Sequence, residues 1–201
     1  MRRNINGIII SLAILLLMFY IFISMGFRFT EKSAIKAIFP GDLVIKSELN
    51  NNNKEIYLLC DNIKTELFYD IILERKFFGL LYKYKSSNSY NKSYDEPFVM
   101  TGSIDYKHKR GYFGFKINNV NIKYISIGVD DLQRNMISKE NLTLNYIKSK
   151  PERFKYSHIN SNKYVTFVYD NYVQKNFVIR AFNSTGKLYI EKYLDSKIMY
   201  F

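Results

Sequence analysis

The chain has 201 residues, with 30 Lys plus Arg against 18 Asp plus Glu and a net charge of +12. A hydrophobic share of 47% excludes an intrinsically disordered chain. The single cysteine excludes an internal disulfide framework and a cysteine-built zinc site. Two histidines leave little for metal catalysis, and no cofactor or metal is expected.

Half of the residues are Ile, Lys, Asn, Tyr or Phe, the amino acids of A- and T-rich codons. Lysine outnumbers arginine 22 to 8 in the same sense. A basic balance ordinarily points to an anionic partner, but codon bias accounts for much of this one.

From Ile8 to Phe27 twenty residues carry no charge. At about 1.5 Å per residue such a helix is ~30 Å long, the thickness of a hydrocarbon core. No polar stripe interrupts it, so it predicts a transmembrane helix rather than a soluble core helix. Arg2, Arg3 and the amino terminus precede it, and Arg28, Glu31 and Lys32 follow. The short basic tail therefore stays in the cytoplasm (residues 1–28, tail and anchor) and the remainder is extracytoplasmic. The alternative is a cleaved signal peptide, with Ser24-Met25-Gly26 supplying small residues; the long apolar run favours an uncleaved signal anchor.

Thr30 is placed as a helix N-cap, with Glu31 in the positive first turn. Ala34, Ile35 and Ile38 fall on one face, and Pro40-Gly41 stop the helix. This short helix is expected to pack on the sheet that follows. Leu43 to Leu49 and Glu55 to Cys60 predict a hairpin across the asparagine run 50–53. Thr65 to Leu73 and Leu80 to Lys85 predict a second pair, joined through Arg75 to Gly79. The polar stretch Ser86 to Glu96, followed by Pro97, predicts a loop or domain boundary. Residues 30–95 are thus expected to form a helix plus β-hairpins module, and 97–201 a second domain.

In that second part apolar residues alternate with period two. They are Phe98, Met100, Ile104 and Tyr106; Phe113, Phe115 and Ile117; Ile125, Ile127 and Val129; Leu142, Leu144 and Tyr146; Val165, Phe167 and Tyr169; Phe177, Ile179 and Ala181. Asn183 to Gly186 form a turn to Leu188 and Ile190. Seven short strands in about a hundred residues predict an antiparallel sandwich or barrel, of which the sandwich is preferred. The expected fold class is mainly β (α+β overall): a transmembrane helix, a short helix plus antiparallel sheet, then the sandwich.

Chemistry-bearing motifs are absent. No phosphate loop, dinucleotide fingerprint, zincin helix, EF-hand loop or nucleophile elbow occurs. His108 lies in Lys107-His108-Lys109-Arg110, where neighbouring cations disfavour its protonated form and a solvated turn is expected. Ser157 and His158 are adjacent on an extended segment, so their side chains point to opposite faces and make no nucleophile pair. Cys60 ends an apolar run and is expected to be a buried, inert thiol. Asp130-Asp131 lack the spaced oxygen ligands of a calcium loop. The sequons at Asn91, Asn141 and Asn183 follow from the asparagine content.

The remaining candidate is a basic-aromatic surface. Without Arg2 and Arg3, 28 cations and 18 anions leave +10 on the exported part. Tyr82-Lys83-Tyr84-Lys85 interleaves the two residue types, and Lys107, Lys109 and Arg110 add a basic turn. Nucleic acid is not an expected partner, because this surface faces away from the cytoplasm. A cell-envelope polymer, a lipid headgroup or an envelope protein is the accessible alternative, while strand alternation with codon bias explains the same residues without any ligand.

The anchor, TEKSAIKAIFPGDLVI (30–45), ILERKFFGLLYKYK (72–85) and FVIRAFNSTGKLYIEKY (177–193) together resemble the uncharacterised small membrane-anchored extracytoplasmic proteins of low-GC Gram-positive bacteria. The resemblance implies a helix before a hairpin whose turn resembles Lys76 to Gly79, and it carries over no agreed catalytic residues. Tryptophans associated with that group are replaced here by Phe78 and tyrosines. The expectation is a non-enzymatic envelope protein that binds or scaffolds.

Overall fold

The structure is a computed structural model describing residues 2–39, 41–51, 54–92, 94–129, 141–159, 161, 163–170, 177–194 and 199–200. Asp130 and Asp131 lie outside the described residues, as does Pro40.

Helix α1 (Arg2–Ser24) contains an apolar span, Gly7–Ser24, long enough to cross a membrane, and none of it is buried against the protein. The helix stops short of Phe27, where the charge-free run ends. Gly26 adopts φ +87°, a left-handed turn open to glycine, and Phe27–Arg28 form strand β1. Arg28 Nη1 donates to the Ile23 carbonyl at 2.8 Å, satisfying a helix-end acceptor.

Helix α2 (Glu31–Ile38) begins at Thr30 through a capping box: Ser33 N–H donates to Thr30 Oγ1 at 3.1 Å and Thr30 N–H to Ser33 Oγ at 3.3 Å. Ala34 and Ile35 are buried, whereas Ile38 is 47% exposed, so the apolar face is one turn shorter than expected.

Strands β2 (Leu43–Asn51), β3 (Glu55–Asn62), β4 (Leu67–Lys76) and β5 (Leu81–Asn91) form an antiparallel sheet in the order β1-β5-β4-β3-β2. Strand β5 corrects the expectation of a loop after Lys85, because it pairs with β4 as far as Asn91. Its polar residues satisfy a buried carboxylate. Asp70, fully buried, accepts from Asn88 N–H at 2.7 Å, Asn88 Nδ2 at 3.3 Å and Ser103 Oγ at 2.7 Å.

Strands β6 (Phe98–Asp105), β7 (Arg110–Ile117) and β10 (Tyr164–Tyr169) make a three-stranded sheet, order β10-β7-β6. The third sheet takes β8 (Tyr124–Val129), β9 (Phe154–His158), β11 (Phe177–Phe182), β12 (Leu188–Tyr193) and β13 (Met199–Tyr200), order β13-β12-β11-β8-β9. The segment expected as a strand at Leu142 to Tyr146 is instead a helix turn, α3 (Leu144–Lys148), capped by Thr143 Oγ1, which accepts from Tyr146 N–H at 3.3 Å. Leu144 and Ile147, three residues apart, are the buried pair, and Tyr146 is half-buried. Strand β9, mostly polar, carries no alternating signal.

Alternation along the strands stacks these elements in layers. Helix α2 covers the outer face of the first sheet, on Ile56, Leu58, Cys60, Ile71 and Leu73. The opposite face offers Tyr57, Leu59 and Ile72 to Tyr112, Tyr164 and Val168 of the middle sheet, with Tyr57 and Tyr112 stacked at 5.3 Å. The other side of the middle sheet, Phe113, Phe115, Ile117, Val165 and Phe167, packs on Ile125, Ile127, Phe177, Ile179 and Ala181 of the third sheet as a β-sandwich. Burying each such side chain contributes about 1.5–3 kcal/mol. Finally α3 and Phe154 cover Val178 and Phe182. Strands β3 and β11 are buried on both faces, which explains their continuous apolar runs.

Gly114 permits the close approach of the first two sheets. A Cβ there would lie 2.4 Å from Leu59 Cδ2 and 2.8 Å from Thr101 Cγ2. Replacing Gly114 with valine is expected to destabilise the chain by about 1–3 kcal/mol through overpacking. Thermal unfolding of the detergent-solubilised protein, followed by tyrosine circular dichroism, measures this.

Candidate functional site

Among the described residues, a group of ionisable side chains lies together where the first sheet meets the β6–β7 turn. Glu55 opens β3, Lys85 lies on β5, Asp105 ends β6, His108 sits in the turn and Tyr112 on β7. Lys85 Nζ donates to Glu55 Oε1 at 2.6 Å and to Asp105 Oδ2 at 2.5 Å. Asp105 also accepts from His108 N–H at 3.1 Å and contacts His108 Nδ1 at 2.9 Å, and Tyr112 O–H donates to Glu55 Oε2.

Burial alone would raise both carboxyls. The Lys85 ammonium and the hydrogen bonds from His108 hold Asp105 well below the usual carboxylate range, and those from Lys85 and Tyr112 hold Glu55 below it. Burial opposes the charge of Lys85 as well, yet the two carboxylates raise its pKa far above that of a free lysine.

Glu55, Asp105 and His108 place three ligand atoms within 4.8 Å of one another, a spacing compatible with a metal ion. The Lys85 ammonium already bridges the two carboxylates and would repel a second cation. The chemistry of the group is that of a closed ion-pair network rather than an open metal centre.

The seven residues of the basic-aromatic surface separate accordingly. Tyr82 and Tyr84 pack towards α2. Lys83 lies over the Phe27 ring at 5.2 Å, and Lys85 is committed to its carboxylates. Arg110 Nε donates to Asp170 at 2.7 Å. Lys107 and Lys109 are exposed in the turn beyond Asp105, Lys109 with φ +52°. The structure therefore brings Lys85 next to the 107–110 turn but spends Lys85 and Arg110 on acidic partners. Sequence reasoning missed Asp105 as the partner of His108. The signal was an Asp three residues ahead of a turn residue, the pattern in which an Asp side chain accepts turn N–H groups.

Cys60 is buried, as expected. Burial pushes the Cys60 thiol up to about 12. Ser157 O–H donates to the His158 carbonyl at 3.2 Å, while the His158 ring lies against Tyr124 at 5.0 Å. An open groove of about 490 Å³ runs between α2 and β2, lined by Lys32, Ile35, Lys36 and residues 41–45. Its acid, Asp42, is bonded to Lys64 at 2.8 Å. No protein-family model, curated protein or solved structure matches this chain.

Proposed function

We propose that this chain is a single-pass, N-in membrane protein whose β-sheet part lies outside the cytoplasm and acts as a non-enzymatic binding or scaffolding module of the cell envelope. The observation that carries it is α1: an eighteen-residue span of high hydropathy, Gly7–Ser24, in which no residue is buried. A core helix of a soluble protein buries such a surface, and water does not tolerate it uncovered.

An uncleaved anchor is preferred to a removable leader because α1 remains in contact with the fold. Phe19 stacks on Phe29 at 5.4 Å, and Phe22 meets Phe77 edge-on at 5.3 Å. The likeness to small anchored extracytoplasmic proteins points the same way. A non-enzymatic role is supported by the Lys85 network, whose hydrogen-bonding capacity is turned inward.

The test is protease added to intact cells expressing the chain with an epitope at each end. The C-terminal epitope is expected to be lost and the N-terminal one retained, both on an uncleaved membrane-fraction product. A protected C-terminal epitope, or a product in the soluble fraction, refutes the reading.

A further inference from the structure

Among the described residues, the β4–β5 connection is where two consecutive non-glycine residues take positive φ. Phe77, Phe78 and Gly79 adopt φ values of +52°, +58° and +89°, so two phenylalanines occupy the left-handed region that favours glycine. Phe78 is 108% exposed, Leu80 70% and Phe77 52%. Large apolar side chains thus face outward from a backbone in the left-handed region.

Their neighbours are the end of α1. The Phe77 ring lies 5.3 Å from that of Phe22 and 6.2 Å from that of Phe27, with Phe22 and Phe27 5.8 Å apart. Phe22 belongs to the apolar span and is two residues, about 3 Å of helix rise, from its end. Phe77 thus sits at the depth of the last turn of the span, and Phe78 and Leu80 are beside it in sequence. Strand β1, which follows α1, pairs with β5 immediately after the tip, Phe27 with Lys83 and Arg28 with Tyr82. That pairing fixes the tip against the helix end. Cations ring the patch: Arg28 on the helix carbonyl, Lys83 over Phe27, and Lys76, paired with Glu74 at 2.9 Å. Aromatic residues at the depth of a helix end, with Lys and Arg just beyond, are the composition of a membrane interface.

We propose that the tip Phe77–Leu80 inserts into the bilayer leaflet at the C-terminal end of α1, so that the sheet is held to the membrane at a second point. This rests on α1 spanning the bilayer. The occupant of the patch is lipid acyl chain, with the surrounding cations at headgroup level. Insertion fixes the orientation of the first sheet relative to the membrane, which a single flexible tether does not.

The chain has no tryptophan, so one introduced residue reports alone. Full-length Phe78→Trp, Leu80→Trp, Ile14→Trp and Val120→Trp are reconstituted in phosphatidylcholine–phosphatidylglycerol vesicles, with and without bromine-substituted acyl chains. All four sites are exposed on the protein, so the substitutions leave the core unchanged. Phe78→Trp and Leu80→Trp are expected to show emission shifted to shorter wavelength than in water and to lose about half or more of their intensity to bromine, as at an interfacial depth of about 5–10 Å. Ile14→Trp, in mid-span, is expected to be quenched, and Val120→Trp, at the sandwich, to emit as in water. If both tip probes behave like Val120→Trp while Ile14→Trp is quenched, tip insertion is refuted and the anchor stands. If Ile14→Trp is itself unquenched, the spanning reading fails and the inference falls with it.

Discussion

Lys85→Met is expected to destabilise the folded chain by about 3 kcal/mol at pH 7.5, because it leaves Glu55 and Asp105 ionised, nearly buried and without their cation. The magnitude is placed at the low end for a broken buried pair, since Lys85 keeps part of its side chain in solvent. Its pH dependence separates this cause from lost packing. In the parent chain both carboxyls have folded pKa values below their ordinary ones of about 4. Their contribution is therefore complete above that value and disappears as pH falls through the folded values. Lys85 has a raised folded pKa, so its contribution is complete below about 10.4 and is lost only as pH rises through that higher value. The parent network is then fully formed from about pH 5 to pH 9. In the variant burial and mutual repulsion still raise the two carboxyls, opposed now by the hydrogen bonds from His108 and Tyr112 without the Lys85 ammonium. The deficit between variant and parent should accordingly shrink on going from pH 7.5 to pH 5. Thermal unfolding of the detergent-solubilised chain at the two pH values measures it, and an equal deficit at both shows that methylene packing, not charge, was lost. Adding Glu55→Gln and Asp105→Asn to Lys85→Met should recover part of the loss at neutral pH.

The contrast between what alternation reveals and what it hides is physical. Strands β7 and β10 each present apolar residues at every second position, so Phe113, Phe115 and Ile117, and Val165 and Phe167, were readable as one face of a sandwich. The turn at Asn183 to Gly186 was readable because the asparagine side chain accepts from Thr185 and Lys187 N–H groups at 3.0 and 3.1 Å, a local pattern. What makes the middle sheet a shared layer, Tyr112 and Tyr164 facing Tyr57, depends on residues more than fifty positions apart and leaves no local trace. The same holds for the candidate site. Glu55 and Lys85 are thirty residues apart, and Asp70 and Ser103 thirty-three, so each reads alone as an ordinary surface residue. The polar second half of β5, Ser86 to Asn91, was expected as a loop for this reason: its Asn88 is bonded to a carboxylate on the neighbouring strand. The helix at Leu144 was mistaken for a strand because one short turn satisfies periods of two and of three at once. The basic stripe hides a different feature, since counting lysines in sequence does not show that Lys85 and Arg110 face acids.

A buried pair in the third sheet gives the second large effect and a decision about its purpose. Arg180 on β11 and Glu191 on β12 are directly opposite in register, with Nε donating to Oε2 at 2.7 Å, and both side chains are almost fully buried. They lie on the outer face beneath α3 with Val178 and Phe182, and the guanidinium sits 5.5 Å over the Phe154 ring. Arg180→Leu takes the buried guanidinium away from the Glu191 carboxylate and is expected to destabilise the chain by about 3–5 kcal/mol. That corresponds to a fall in Tm of roughly 10 °C for a chain of this size. The double variant Arg180→Leu/Glu191→Leu removes both charges together, exchanging desolvated ions for packing against Leu144 and Phe154. Its stability is expected to lie within about 1 kcal/mol of the parent, or above it, because burying an ion pair returns little more than its desolvation takes. The coupling energy of the cycle then amounts to several kcal/mol while the pair itself contributes almost none. If the double variant is as unstable as Arg180→Leu alone, the pair is a genuine source of stability, with the Phe154 contact as its third member. If it matches the parent, the pair serves register: a one-residue slip of β12 would move Glu191 to the opposite face, among Ile127 and Ile179, away from its guanidinium.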